Sequence, residues 1–308
     1  MRASLWWGKA PFCKKQFFLN HWICKKIKYP EELIFVSDSR VYRDKNRLIK
    51  VYQSASYEYV EQAYSRQKFA YDAGLPVPAV FGIKKIGERE TALEMEYLEG
   101  KPLLCMYEGK GGEMLDKAMR AMVKLQCQMN AVDASGLPDL TDMYKSEITA
   151  TPYLSARLKE TLLNYMKSLD KGKTNLCHGD INPCNIMYNG DKYWIIDWED
   201  AGKGDPAADA CMQYFYSMRW GAKSEGRSYE QYLRLFCQNG EDYIQQFCQS
   251  GEGYLHLFCE ESGIARREVL AWLPVIAGVQ VNIEDASDRI FISRFIDEWQ
   301  KNQNKFKI

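Results

Sequence analysis

Residues 176–209 read LCHGDINPCNIMYNGDKYWIIDWEDAGKGDPAAD, and the way this stretch folds decides how the whole chain is understood. Ile186-Met187-Tyr188 and Tyr193-Trp194-Ile195-Ile196 are two short apolar runs either side of Asn189-Gly190, the pattern of two strands joined by a hairpin turn. Closing that hairpin returns Asp197 to the end from which Asn185 starts. Asp180 stands on the preceding loop, so three oxygen-bearing side chains converge on one place. One Asp to orient an attacking hydroxyl, with an Asn and a second Asp to hold magnesium against phosphates, is what phosphoryl transfer from a Mg-nucleotide requires. Singly, each residue also suits a turn, because Asn and Asp close loops by bonding nearby backbone. As a set around a predicted hairpin they point to chemistry.

This block resembles the aminoglycoside phosphotransferase and choline kinase superfamily, the small-molecule branch of the protein-kinase-like fold. The resemblance is carried by His178-Gly179-Asp180, by Asn185, by IIDWEDAG at 195–202 in place of the protein kinases' DFG, and by Gly204-Asp205-Pro206 with Asp209. It implies Asp180 as catalytic base, Asn185 and Asp197 as magnesium ligands, His178 as a support of the loop, and Asp205 and Asp209 as structural anchors. It further implies an α+β, bilobal protein-kinase-like fold with a small β-rich N-lobe and a larger helical C-lobe, using ATP and Mg2+. The likeness extends over about Leu33 to Met212.

Upstream, Leu33–Val36, Val41-Tyr42 and Arg47–Tyr52 read as strands, with a turn at Ser37–Arg40. In the last of these Ile49 and Val51 share one face and Lys50 takes the other. A lone strand lysine is ordinarily solvated; the resemblance makes Lys50 the group that grips the nucleotide's α- and β-phosphates. Such a lysine needs a carboxylate, and Glu58 and Glu61 lie on one face of a helix expected from Tyr57 to Ala73 and closed by Gly74. The family pattern favours Glu61. There is no glycine between Lys9 and Ala73, so a Gly-rich phosphate loop is absent, and the backbone and hydroxyls of Ser37 and Ser39 are its expected substitute. Residues 92–100, ALEMEYLEG, resemble the strand leading into an interlobe linker, with Met95 bordering the adenine and the backbone of Glu96 and Leu98 bonding its edge.

A helix from about Glu113 to Asn130 carries Met114, Ala118, Ala121, Met122, Leu125 and Met129 at helical spacing, a core stripe. The family often has Leu-His near the end of this helix, where this chain has Leu125-Gln126. The organisation expected is a basic, aromatic extension over 1–30, an N-lobe over 31–98 and a C-lobe over 99–308. The first thirty residues carry seven Lys or Arg and no acid, which suits a solvated or partly packed terminus. Phe236-Cys237, Phe247-Cys248 and Phe258-Cys259 recur every eleven residues. With His256 these cysteines offer a metal set, but zinc ligands come in closely spaced pairs, so a duplicated packing unit is the expectation.

Composition narrows the partners. The 308 residues are 46% apolar and 27% charged with net charge zero, which argues against a nucleic-acid partner. No apolar run reaches the length of a membrane-spanning helix, so membrane insertion is not expected. Ten scattered cysteines without a C-x-x-C pair or a secretory signal suit a reduced, cytoplasmic protein. The activity expected is ATP-dependent phosphorylation of a small-molecule hydroxyl. The acceptor expected is an amine-bearing alcohol of the aminoglycoside or choline type: Glu199 to Gly263 holds eleven acids against five bases, and Tyr214, Phe215, Tyr216 and Trp220 are placed to meet an ammonium group. The rival expectation is a catalytically weak or dead nucleotide-binding relative with a regulatory or spore-coat-type role.

Overall fold

The computed structural model describes residues 32–36, 39–107, 112–224, 249–282 and 286–301. Ser37, the extension over 1–30, and Cys237 and Cys248 of the repeat lie outside the described residues.

The alternation of RLIKVYQ builds the first layer. Strands β1 (Glu32–Val36), β2 (Ser39–Asp44), β3 (Arg47–Gln53), β4 (Val80–Lys85) and β5 (Glu90–Glu96) form one antiparallel sheet in the order β1-β2-β3-β5-β4. Ile49 and Val51 pack with Tyr42 and Ala92 on one face. Tyr52 packs with Val60, Leu93 and Met95 on the other, and period-two alternation gives Lys50 this second face. Helix α1 (Tyr57–Asp72) covers that second face. Its start is set by Ser56, whose hydroxyl accepts the Tyr59 N–H at 3.2 Å, and its end by Gly74 at φ +79°, a conformation glycine adopts without penalty. The sequence places a turn at Ser37–Arg40, but β2 already begins at Ser39, which is buried and paired with Tyr52.

The remainder is helical apart from two small sheets. Strands β6 (Lys101–Pro102), β8 (Ile186–Tyr188) and β9 (Tyr193–Ile195) form one, and β7 (Asn175–Cys177) pairs with β10 (Gly202–Gly204). Around them stand α2 (Leu104–Tyr107), α3 (Gly112–Asn130), α4 (Leu140–Ala150), α5 (Ala156–Leu169), α6 (Pro206–Ser224), α7 (Gln249–Ser262), α8 (Arg266–Ala271), α9 (Leu273–Gln280) and α10 (Ala286–Lys301). One continuous core runs through these elements, from Met122 and Met129 of α3 to Phe215 of α6, Phe258 of α7 and Trp299 of α10. A small antiparallel sheet beside a larger helical part is the protein-kinase-like arrangement expected from the sequence. Among the described residues no helix is long and apolar enough to cross a membrane.

Candidate active site

The hairpin forms in the register the sequence implies. Ile186 pairs with Ile195 and Tyr188 with Tyr193, and the Ile196 N–H donates to the Asn185 carbonyl at 2.9 Å. Asn189 tightens the turn by accepting from the N–H groups of Asp191 and Lys192, and Gly190 takes φ +110°. Asp197, one residue past this closure, is held left-handed at φ +68°, and a 3-10 turn over Trp198–Asp200 follows. The catalytic-loop side is equally constrained. Gly179 sits at φ +78°, where an added Cβ would lie 2.4 Å from the Asp200 carbonyl oxygen, so no other residue fits.

Asp180 and Asn185 are in direct contact. The Asn185 amide nitrogen donates to the Asp180 carbonyl at 2.8 Å and to Asp180 Oδ2 at 2.9 Å. That fixes the amide so that Asn185 Oδ1 is the atom left over. Asp180 Oδ1 is buried without a partner. Burial first, and then the neighbouring Asp200 and Asp197 carboxylates, push Asp180 well above the ordinary carboxylate range. The same two causes act on Asp200, where burial and the Glu199 charge raise it to about 6.

Lys50 reaches across from the sheet to Asp197 Oδ1 at 2.8 Å and also bonds Glu199 Oε1. Burial pulls its ammonium down, but Asp197 and then Tyr52 and Glu199 outweigh this, and the net direction is upward. Glu61 takes no part: it is exposed on α1 and makes no ion pair with Lys50, and Glu58 is exposed as well. The inward stripe of α1 is Val60, Ala63, Arg66, Gln67 and Ala70, which turns both glutamates aside. What sequence reading missed is Glu199, whose carboxylate accepts from Lys50, from the Tyr52 hydroxyl and, at 2.7 Å, from the Tyr59 hydroxyl. Arg66 of α1 donates to the Glu199 backbone carbonyl. Glu199 stood in the quoted segment, two residues past Asp197.

The residues expected to line the linker are placed as follows. Met95 is buried in β5 beside Gln67. The Glu96 N–H is already spent on the Ala79 carbonyl at 2.8 Å, which removes it as a donor to a base, whereas the backbone of Leu98 has no partner among the described residues. The aromatic residues expected to meet an ammonium group are instead core: Tyr214 and Phe215 are buried, and the Tyr214 hydroxyl donates to Glu252. Tyr216 is buried too and lies near enough to Asp180 to lower its carboxyl's affinity for a proton. The side chain of Trp220 lies outside the described residues.

A buried polar relay supports the loop from behind. Asp209 accepts the Gly179 N–H at 2.8 Å and the Gln126 amide at 3.2 Å, and Gln126 accepts the Tyr254 hydroxyl at 2.6 Å. His178 bonds the Ile196 carbonyl at 3.0 Å, and its burial lowers its affinity for a proton, so the ring is neutral. Asp205 caps α6 through the Ala207 N–H and meets Lys173 at 2.9 Å. Gln126→Leu would strand the Tyr254 hydroxyl and one Asp209 oxygen in the core, and is expected to cost about 2 kcal/mol or more of stability, with Tyr254→Phe costing ~1 kcal/mol. Urea unfolding of the two variants measures both.

Comparison with known proteins places the chain. The model of the phosphotransferase enzyme family matches residues 36–247. Among solved structures, aminoglycoside phosphotransferase APH(3'')-Id from Streptomyces rimosus, in complex with ADP and streptomycin, is 19% identical, with a TM-score of 0.56 over 81% of this chain and 92% of that one. A thermostable mutant of aminoglycoside phosphotransferase APH(4)-Ia, in ternary complex with AMP-PNP and hygromycin B, is 14% identical, with a TM-score of 0.54 over 90% and 91%. A choline/ethanolamine kinase family protein from Mesorhizobium loti is 15% identical, with a TM-score of 0.53 over 91% of both chains. At these identities the likeness is one of fold. The comparison with curated proteins finds no match.

Proposed function

Because the chain belongs to the phosphotransferase enzyme family, we propose that it transfers the γ-phosphoryl group of ATP to a hydroxyl of a small molecule. The observation that carries this reading is the contact of Asp180 with Asn185 at 2.9 Å, beside an Asp197 held by Lys50 at 2.8 Å. Asp180 Oδ1, without a partner, takes the acceptor's hydroxyl proton as the oxygen attacks phosphorus. Lys50 binds the α- and β-phosphates once they enter. Asn185 Oδ1 and Asp197 are the residues that would hold Mg2+, and the ion when bound supplies charge neutralisation at the β- and γ-phosphates. Two protein ligands suffice, since magnesium keeps waters and substrate phosphates for the rest of its shell. The lobes divide near residue 98, and Met95 and Leu98 border the base.

The acceptor is an amine-bearing alcohol. The aromatic part of that expectation is lost to the core, but a charge argument of another kind supports it: Asp180, Asp197, Glu199 and Asp200 outnumber Lys50 and Arg66 at one site, and Glu147 adds its field to Asp200. A site of that sign concentrates cations. The solved neighbours that hold streptomycin or hygromycin B with a nucleotide point the same way. ADP formation with Mg-ATP and a panel of aminoglycosides, choline, neutral sugars and homoserine tests the activity. Amine-bearing acceptors are expected to have the highest kcat/KM, falling as salt is raised from 0.05 to 0.5 M, roughly the range over which screening shortens severalfold. A preference for neutral acceptors with no salt sensitivity would remove the acceptor class and leave the kinase; no ADP above background with any acceptor would remove both.

A further inference from the structure

The phosphate-binding lysine of this chain needs a carboxylate to aim it, and the helix that should supply one turns Glu58 and Glu61 to solvent. We propose that Tyr59 supplies the missing link: it positions Lys50 through Glu199, so that a hydroxyl–carboxylate–ammonium chain replaces the direct ion pair between strand and helix. This rests on the nucleotide-binding role proposed for Lys50.

Two observations converge on it. Lys50 and Glu199 are both largely buried, with side chains 12% and 19% exposed, so their contact is one that solvent does not screen away. Both oxygens of Glu199 are engaged by donors from the N-terminal sheet and its helix: Oε1 by Lys50 and Tyr52, Oε2 by Tyr59 at 2.7 Å. A carboxylate held at both oxygens cannot rotate, and hydrogen bonds to an ionised acceptor are the strong ones.

The second carboxylate on Lys50 does not make Glu199 redundant. Asp197 is the residue that the proposed function assigns to a cation, so its charge is shared there, and Glu199 is a second carboxylate that orients the same ammonium. Tyr59 fixes Glu199 from α1, and Arg66, two helical turns along, fixes the backbone of the same residue. Any shift of α1 is thereby passed to Lys50 through one side chain.

A double-mutant cycle on the full chain tests the link by calorimetric titration with Mg-ATP. Tyr59→Phe, which deletes one hydroxyl and keeps the ring, is expected to weaken binding about tenfold. In a Lys50→Ala background the same change is expected to have less than a twofold effect, because a residue that acts through Lys50 has nothing left to act on. Tyr52→Phe, approaching the other oxygen, is expected to show the same dependence on Lys50, and Glu61→Ala to change binding less than twofold. A merely structural role would weaken both backgrounds alike, and that additivity would overturn the proposal. So would an unchanged affinity in Tyr59→Phe, or an equal loss in Glu61→Ala. A wild-type chain that binds no Mg-ATP at all would overturn the function on which the proposal rests, an outcome distinct from normal wild-type binding with an insensitive Tyr59.

Discussion

Asp180→Asn is expected to abolish turnover, lowering kcat on the order of a hundredfold or more, while the affinity for Mg-ATP stays within a few-fold. The asparagine keeps the size of the side chain and its contact with Asn185, so the loop stays closed, but it cannot accept a proton at Oδ1. Measured together, kcat and nucleotide affinity separate loss of the base from loss of the site, and a variant with near-wild-type kcat would sink the assignment. The wild-type pH profile carries the same signature. Burial and the Asp200 and Asp197 carboxylates raise Asp180 above its ordinary range, and the base works only when ionised. The acid limb of kcat/KM is therefore expected to lie well above pH 3.8, with activity rising as pH rises through the elevated value.

Asp197→Ala is expected to remove magnesium-dependent nucleotide binding, and Asn185→Ala to weaken it or to lower turnover, because these residues would share the ion that bridges the phosphates. Lys50→Ala is expected to weaken productive ATP binding without altering the acceptor's own affinity. Calorimetry with Mg-ATP checks all three, and unchanged binding in the Asp197 variant would put the metal elsewhere. Asp197→Ala has a second effect of opposite sign in the apo protein. It removes one of the neighbouring carboxylates, and because burial and Glu199 act more strongly on Asp200 than Asp197 does, Asp200, at about 6, is expected to fall only part of the way toward 3.8. Sign follows from linkage: a carboxyl with a raised folded pKa binds its proton more tightly folded than unfolded, so its contribution to stability is lost as pH rises from about 3.8 to 6. Relief of that loss is offset by the loss of the ion pair between Asp197 and Lys50.

The catalytic loop and hairpin were legible because the information is local. An Asn-Gly turn between two apolar runs fixes which residues face each other, and Asp180, Asn185 and Asp197 follow from that closure. The partner of Lys50 was not, because it depends on how α1 rolls against the sheet. The stripe Val60, Ala63, Gln67 and Ala70 carried the answer: at 3.6 residues per turn it turns Glu61 toward solvent. Reading that stripe first would have moved the search to Glu199. The Tyr214–Tyr216 run failed for a related reason, since a helix packed against α7, α8 and α9 has little exposed face for aromatics to occupy. Gln126 was visible only as the residue standing where the family often has histidine. That it donates to Asp209 and accepts from Tyr254, as a neutral imidazole also would, required the fold.

The relay from Tyr254 through Gln126 and Asp209 to the Gly179 amide has a consequence for how the working enzyme comes into being. Synthesis runs from the N-terminus, and the nucleotide-facing sheet and the hairpin are complete long before α7 is made. Until Tyr254 has emerged and docked, Gln126 lacks the hydroxyl that orients its amide, and Asp209 must hold the loop with one of its two supports loose. A ribosome-bound chain therefore passes through a stage in which the sheet and the hairpin are assembled ahead of the full support of the Gly179–Asp180 loop, which waits on Tyr254.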